Sequence, residues 1–211
     1  MKLIMPSRIS RRLGERFFFK AERDASPKSA SVRRPYPPGM HGKKRRRRGG
    51  SEFGVELAEK QKVRYLYGLS DSGLRASVRE ATRIAGRATT KTTALLGELE
   101  RRLDNIVYRL GFVPSRRIAR QVVSHGHILM NERRASIASR PVRPGDRIRV
   151  KESSLAQPMF DGLAIRLKKQ QLPEWLSVDP ERAEGTMVRL PLESDNLISQ
   201  NLSKVLEFYS R

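Results

Sequence analysis

The sequence predicts an α+β fold: a mainly helical domain with an inserted module of two helices and a β-hairpin. Three observations lead to this fold class. Apolar residues recur at helical spacing on both sides of residues 101–161 and in the first half of that range. The pattern changes to period two at Arg147–Val150, directly after the turn residues Pro144, Gly145 and Asp146. Glycines and N-cap residues separate the helical segments, so each helix has its own end.

The inserted module begins with two short helices. The first is expected over about residues 93–110, where apolar residues form one stripe and Gly111 provides a left-handed C-cap. Ser115 is a good N-cap for the second helix, which begins at Arg116 and ends at His125 and Gly126. A strand over 128–131, a turn over 132–134 and the strand Arg147–Val150 complete the hairpin. We expect the helix pair to share its apolar side with this hairpin.

The opposite side of the helix pair carries an unusual number of guanidinium groups. Side chains three and four positions apart share one face of a helix, so arginines at these spacings lie close together. Such a group needs an anionic partner to offset its mutual repulsion. The arginines are Arg101, Arg102, Arg109, Arg116, Arg117 and Arg120.

Composition points to the same kind of partner. The 211 residues include 44 Lys and Arg against 22 Asp and Glu, a formal net charge of +22. This excess favours binding to nucleic acid or another polyanion, and the clustering of the charges argues against a protein that is merely basic. The absence of cysteine excludes disulfides, a thiol nucleophile and Cys-ligated zinc. No apolar run approaches a membrane span, so we expect no membrane partner and a cytoplasmic location.

Three regions follow from the changes in pattern. Residues 1–54 form a basic N-terminal extension, residues 55–100 and 162–211 form the helical domain, and residues 101–161 form the inserted module. In the extension we expect a short helix within residues 10–20 and docking of the three phenylalanines at 17–19, which are costly to leave in water. A run of six cations then favours phosphate binding over a solvated tail or a localisation signal. It consists of Lys43, Lys44, Arg45, Arg46, Arg47 and Arg48.

The helical domain is expected to combine both flanks of the module. Two helices are predicted between residues 53 and 86, another over 161–171, and a last one from Ile198 to the C-terminus that packs back on 53–86. Residues 176–196 look irregular, with a short strand at 186–189. Trp175, the single tryptophan, is expected to be at least partly buried.

The sequence contains few candidates for catalytic or metal-binding residues. The three histidines have no metal-ligand spacing on a helix, and no phosphate loop or nucleophile elbow is present. Arg102, Leu103 and Asp104 resemble the triplet that holds the catalytic aspartate of pseudouridine synthases. Leu103 belongs to the apolar stripe, however, so Asp104 is expected to pair with a neighbouring arginine. We therefore predict no catalytic residue, no metal and no cofactor.

Several motifs resemble small-subunit ribosomal protein four of bacteria and organelles. Within the module they are LERRLDNIVYRLG at 99–111, SR at 115–116, ARQ at 119–121, VSHGHI at 123–128 and VRPGD at 142–146. Outside it they are PGMHG at 38–42, EKQKVR at 59–64, YG at 67–68, EGT at 184–186 and YSR at 209–211. The module alone is shared by several RNA-binding proteins, and the flanking motifs make the resemblance specific.

This resemblance implies a structural, non-enzymatic constituent of the small ribosomal subunit with an RNA-binding module of the alpha-L type. Family members bind the five-prime domain of 16S-type rRNA, nucleate assembly of the subunit body and contribute to accuracy with small-subunit protein five. They also lie among other ribosomal proteins, near the channel through which messenger RNA enters. A bacterial cytoplasmic ribosome is favoured over an organelle ribosome. The resemblance also implies that certain residues contact RNA. They are the six module arginines named above, the run 43–48, Lys60, Lys62, Arg64 and His125.

The chain departs from the family pattern near its N-terminus. Many members have a cysteine cluster that can hold zinc, and many begin with an Ala-Arg-Tyr stretch; neither is present here. Two alternatives remain open from the residues alone. One is an RNA-modifying enzyme that carries the same module, and the other is a stress-related RNA-binding protein that acts on stalled ribosomes.

Overall fold

The computed structural model describes residues 6–17, 24, 26–43, 51–86, 89–195 and 198–211. The chain divides into two compact units. The first comprises residues up to 79 together with 198–211, and the second comprises residues 80–197. The bounds of these units, at residues 79 and 197, differ from the predicted ones at 54, 100 and 161.

The first unit is helical in its described part. Helix α1 spans Pro6–Leu13, α2 spans Ala30–Arg33, and α3 spans Glu52–Leu66. Helix α4 spans Asp71–Ile84 and contains the boundary between the units. The N-terminal helix lies earlier than the predicted range 10–20. Proline at the first helical position suits the start of a helix, and Gly14, with φ of 73°, lies directly after the last helical residue.

The C-terminal helix α10 (Leu202–Ser210) packs against α3, as predicted. The rings of Phe53 and Phe208 lie 5.5 Å apart, and Arg211 donates a hydrogen bond of 2.7 Å to the buried carboxylate of Glu56. The helix begins later than Ile198 because the Asn201 side chain caps it, accepting from the Lys204 amide at 3.2 Å.

One of the predicted phenylalanines docks in the same unit. Phe17 is buried, with its ring 6.1 Å from the ring of Tyr65. The other two, at 18 and 19, lie outside the described residues.

The second unit contains a helix break that the sequence did not indicate. The single helix predicted over 93–110 is in fact two, α5 (Lys91–Glu100) and α6 (Leu103–Arg109). The backbone opens between them because a neighbouring loop supplies hydrogen-bond partners. The Leu103 amide donates to the Arg140 carbonyl at 2.9 Å, and the Val142 amide donates to the Arg101 carbonyl at 2.8 Å. Helix α7 (Arg116–His125) follows as predicted, with Ser115 as its N-cap and Gly126 left-handed at its end.

The sheet of the second unit is larger than the predicted hairpin. Five antiparallel strands lie in the order β2-β1-β3-β5-β4. They are β1 (Ile128–Met130), β2 (Arg133–Ala135), β3 (Arg147–Val150), β4 (Leu176–Asp179) and β5 (Glu184–Met187). Asn131 and Glu132 form the tight turn between β1 and β2, with φ of 51° and 64°. Residues 133–134, expected to be a turn, are therefore strand.

Two of these strands come from residues 176–196, which looked irregular in the sequence. Strand β5 pairs with β3, and Ile148 lies opposite Gly185. Gly185 interrupts in β5 the period-two pattern by which β3 was predicted, since glycine has no side chain. A short strand was predicted near this place, at 186–189, so its existence is confirmed and its position is shifted.

One core unites the module with residues beyond 161. Fully buried residues of α6 and α7 pack in the same cluster as Trp175, which has no exposed surface, and Met187. Helix α9 (Leu163–Lys169) adds Leu163 and Leu167 to this cluster, and the short helix α8 (Glu152–Leu155) lies between β3 and α9 in the chain. Residues 162–187 thus belong with the module and not with the helical flank, which corrects the predicted boundary at 161.

Candidate nucleic-acid interface

A buried carboxylate at the end of α5 holds two side chains of α6. Glu100 is completely buried, and its carboxylate accepts a hydrogen bond of 2.6 Å from the side-chain nitrogen Nδ2 of Asn105. Arg109 donates two more to the same carboxylate, at 3.0 Å from Nε and 2.6 Å from Nη2. This two-point contact fixes the plane of the Arg109 guanidinium.

A second buried carboxylate, Asp104, holds two further arginines. Arg102 donates to both of its oxygens at 3.1 Å, and Arg120 of α7 donates to Oδ2 at 3.0 Å from Nε and 2.7 Å from Nη2. The prediction that Asp104 pairs with a neighbouring arginine is therefore confirmed. Because two guanidiniums occupy this buried carboxylate, Asp104 is not placed to act on a substrate.

Asn105 connects the two helices through Arg116. The Asn105 side-chain oxygen accepts a hydrogen bond of 2.8 Å from Arg116 Nε, and the Arg116 guanidinium lies 4.5 Å from the centre of the Tyr108 ring. We call this set the arginine network. It consists of Arg102, Arg109, Arg116 and Arg120 with Glu100, Asp104 and Asn105.

The network changes the electrostatic argument made from the sequence. The anionic partners that the arginines require are partly internal, and Arg101 also pairs with Glu98 at 2.5 Å. The arginine side chains are still partly exposed: those of Arg102, Arg109 and Arg120 are 13%, 19% and 31% exposed.

Two other predicted RNA-contact residues of this unit lie outside the network. Arg117 is exposed, and among the described residues it has no ion pair. His125, at the end of α7, is also exposed, and its ring centre is 5.9 Å from that of His127. Burial lowers the pKa of His127, and the nearby His125, Arg134 and Lys151 lower it further.

The predicted cations of α3 are engaged within the first unit. Lys60 is buried, 2.5 Å from an Asp71 oxygen and 4.5 Å from the centre of the Phe208 ring. Lys62 forms ion pairs with Glu59 at 2.8 Å and Glu15 at 3.2 Å. Arg64 donates to the Tyr65 hydroxyl at 2.6 Å. RNA contact by Lys60, Lys62 and Arg64 stays a prediction.

Most of the basic run 43–48 lies outside the residues that the structure describes. Lys43 is exposed, with its Nζ 5.7 Å from the centre of the Tyr36 ring. Lys44, Arg45, Arg46, Arg47 and Arg48 lie outside the described residues.

The first unit carries a basic surface of its own, which was not predicted from the sequence. A cavity of about 510 Å³ lies between α1 and the segment that contains Arg34 and Tyr36. Arg11 supports it by donating to the Arg34 and Tyr36 carbonyls at 2.9 and 3.0 Å. The other guanidiniums, those of Arg8, Arg12 and Arg34, have no ion pair in the described ranges, and no described carboxylate lines the cavity. We call these four arginines with Tyr36 the arginine cleft. The arginine pairs at 11–12 and 33–34 were its sequence signal, but only the fold brings them together.

Comparisons with known proteins cover the regions of the chain that carry these two surfaces. The S4 domain family matches residues 101–148, and the family described as the ribosomal protein S4/S9 N-terminal domain matches residues 5–98. The small ribosomal subunit protein uS4 of Thermus thermophilus is 47% identical over 97% of this chain and 96% of its own length. The uS4 proteins of Syntrophomonas wolfei and Kosmotoga olearia are 44% and 40% identical with the same coverage. The chain belongs to the uS4 family.

Membership of the uS4 family identifies a structural protein and not an enzyme. It also assigns the two surfaces to separate family domains. The S4 domain match contains all four arginines of the network, and the N-terminal domain match contains the arginine cleft. Glu100, the most deeply buried anion of the network, lies in the two-residue gap between the matches.

The described residues were not found to offer a metal site or a membrane-spanning helix. Within the described ranges, no three His, Asp or Glu side chains come together as a possible metal site. Over the same residues, no helix combines the length and the apolar character needed to cross a lipid bilayer.

Proposed function

We propose that this protein is a structural constituent of the small ribosomal subunit that binds 16S-type rRNA through its S4 domain. The arginine network carries the proposal, because it places several guanidiniums at the surface of the domain in fixed orientations. Guanidinium groups match phosphate oxygens with two parallel hydrogen bonds, and RNA helices are recognised mainly through backbone and shape.

The arginine cleft supports a second area of contact with the same rRNA. Its exposed guanidiniums have no internal anion in the described part of the first unit, so an RNA phosphate would offset their repulsion. The basic run 43–48 follows this region in the chain and fits the same role. Arg117 and His125 of the second unit extend the contact around the network.

The finer proposal concerns the place of the protein in the subunit. We propose that it binds the five-prime domain early, nucleates assembly of the subunit body and contributes to accuracy with small-subunit protein five. We also propose contacts with other ribosomal proteins and a position near the channel through which messenger RNA enters, in a cytoplasmic ribosome. Membership of the uS4 family supports this proposal.

Footprinting on naked small-subunit rRNA tests the proposed function most directly. The full-length protein is mixed with the transcript at moderate ionic strength, and backbone protection is read along the RNA. We expect protection concentrated in the five-prime domain. A uniform pattern, or no protection, would contradict the proposal.

A salt titration tests the residues. Each neutralised phosphate contributes roughly 0.7–0.9 to the slope of log affinity against log salt. The double variant Arg116→Ala with Arg120→Ala should therefore bind rRNA more weakly and with a flatter slope. Arg182→Ala, which removes an exposed arginine whose partner is the exposed Asp179, is the control. An unchanged slope in the double variant would remove Arg116 and Arg120 from the contact.

Co-sedimentation separates this proposal from a stress-related factor. A structural constituent should be present in one copy in every small subunit from growing cells, whereas a factor acting on stalled ribosomes should be present in few of them.

A further inference from the structure

We infer that Glu100 and Asp104 are positioning residues for RNA recognition, which hold the guanidiniums of the arginine network in the one arrangement that matches the folded rRNA. The inference rests on the proposed function and adds to it. It assigns a role in binding a polyanion to two carboxylates, groups that would otherwise repel that polyanion.

The burial of the two carboxylates is the first reason. Glu100 has no exposed side-chain surface and Asp104 has only 6%, so neither offers RNA a substantial contact surface. Their effect on a bound phosphate must pass through the arginines that they hold. A buried carboxylate is costly unless it is fully hydrogen-bonded, and such networks favour one geometry over others.

The geometry of the contacts is the second reason. Arg109 and Arg102 each bring two nitrogens to a carboxylate, and Arg120 directs two nitrogens at a single oxygen. Free arginine side chains lose much rotamer freedom when they bind, and this loss weakens binding. Guanidiniums that are already oriented avoid most of this loss, and they present a fixed pattern of N–H groups.

The origin of the side chains is the third reason. The network joins the end of α5, both ends of α6, and α7. It therefore also fixes α6 and α7 relative to each other. Asn105 is the link, because it donates to Glu100 and accepts from Arg116. A change at Glu100 should therefore reach guanidiniums that Glu100 does not contact.

The test uses the sign of the charge change. Glu100→Gln and Asp104→Asn each raise the formal net charge by one. Simple electrostatics then predicts tighter binding to every RNA. Positioning predicts the reverse for the cognate RNA, since the amide cannot hold the guanidiniums as the carboxylate does. Glu152→Gln is the matched control, because Glu152 is 83% exposed and its charge change is the same.

Full-length proteins are titrated with a small-subunit rRNA transcript and with an unrelated structured RNA of equal length. For Glu100→Gln and Asp104→Asn we expect the preference for rRNA to fall about tenfold, the size of one lost bidentate contact. Binding to the unrelated RNA should stay equal to that of Glu152→Gln. Variants that keep the wild-type preference would overturn the inference alone. A wild-type protein with no preference would overturn the proposed function as well.

Two charge-preserving variants decide the matter if a carboxylate variant fails to fold. Arg109→Lys and Arg120→Lys keep the charge at partly exposed positions but lose the planar two-point contact. Melting curves first establish the temperature at which each variant is folded. We expect the preference for rRNA to fall about tenfold while the salt slope stays unchanged. A wild-type preference in both lysine variants would contradict positioning.

Discussion

The arginines of the two units solve the problem of crowded positive charge in different ways. In the arginine network, three of the four guanidiniums are held by the buried carboxylates Glu100 and Asp104, and Asn105 holds the fourth. In the arginine cleft, Arg11 is held by backbone carbonyls, and the exposed Arg8, Arg12 and Arg34 have no ion pair among the residues described.

Because of this difference, the arginines of the network contribute to the stability of the fold, whereas those of the cleft are available mainly for binding. A guanidinium on a buried carboxylate is part of the folded structure, because its removal leaves an uncompensated charge. An exposed guanidinium without a partner contributes little to folding and remains available to an external phosphate. We therefore expect the two surfaces to respond similarly to RNA and differently to mutation.

The largest expected effect is on the stability of the network. Glu100→Ala leaves Arg109 without its buried carboxylate and removes one of two acceptors of the Asn105 side chain, which keeps only the backbone carbonyl of residue 100. It should lower the free energy of unfolding by about 3–5 kcal/mol. Urea denaturation followed by circular dichroism measures this change. Glu152→Ala, at an exposed position, serves as the control. A loss below about 1 kcal/mol would place Glu100 among ordinary surface ion pairs.

The cleft should show the opposite combination. Replacing Arg8, Arg12 and Arg34 by alanine should change the free energy of unfolding by no more than about 0.5 kcal/mol per residue. The slope of log affinity for rRNA against log salt should fall by roughly 2–3. Filter binding at several salt concentrations gives this slope. An unaltered slope would show that the cleft does not face RNA.

Two neighbouring arginines of α7 sharpen the comparison within one helix. Arg120→Ala should reduce stability by about 1–2 kcal/mol, because it removes charged hydrogen bonds to the buried Asp104. Arg117→Ala should leave stability within about 0.5 kcal/mol, because Arg117 is exposed. Thermal unfolding of the two variants side by side measures the difference. Equal melting temperatures would contradict the distinction between held and free arginines.

The smallest expected effect is on the pH dependence of stability, through the ion pair between the buried Lys60 and Asp71. The hydrogen bond from Lys60 lowers the pKa of Asp71. A lowered carboxyl pKa in the folded state adds stability above about pH 4, and this stability is lost as the pH falls through the folded value. Melting temperatures between pH 6 and pH 3 should therefore decline less steeply in Asp71→Asn. Asp161→Asn, at an exposed position, should follow the wild-type curve.

The helices of the module show how far local signals extend. Ser115 and Gly126 define α7 at the predicted residues, because N-caps and left-handed C-caps act within one turn. The break between α5 and α6 had no such signal. It depends on the carbonyl of Arg140, which is 37 positions away from Leu103 in the chain and which no local pattern could indicate.

The site shows the same limit. Charge and spacing indicated which arginines of α6 and α7 belong to a basic surface, and the pairing of Asp104 could be anticipated. The burial of Glu100 could not, since it follows from the packing of α5 against α6. The burial of Lys60 against Asp71 could not be anticipated either, because Asp71 lies on a different helix.

By itself, the sequence determined the fold class, the ends of helix α7, the basic character of the chain and the resemblance to a ribosomal protein family. These properties depend on composition, on short-range periodicity and on motifs. Only the tertiary structure decided the five-stranded sheet, the division at residues 79 and 197, and which guanidiniums are held and which are exposed. These depend on contacts between residues far apart in the chain, where burial sets the cost of every unpaired charge.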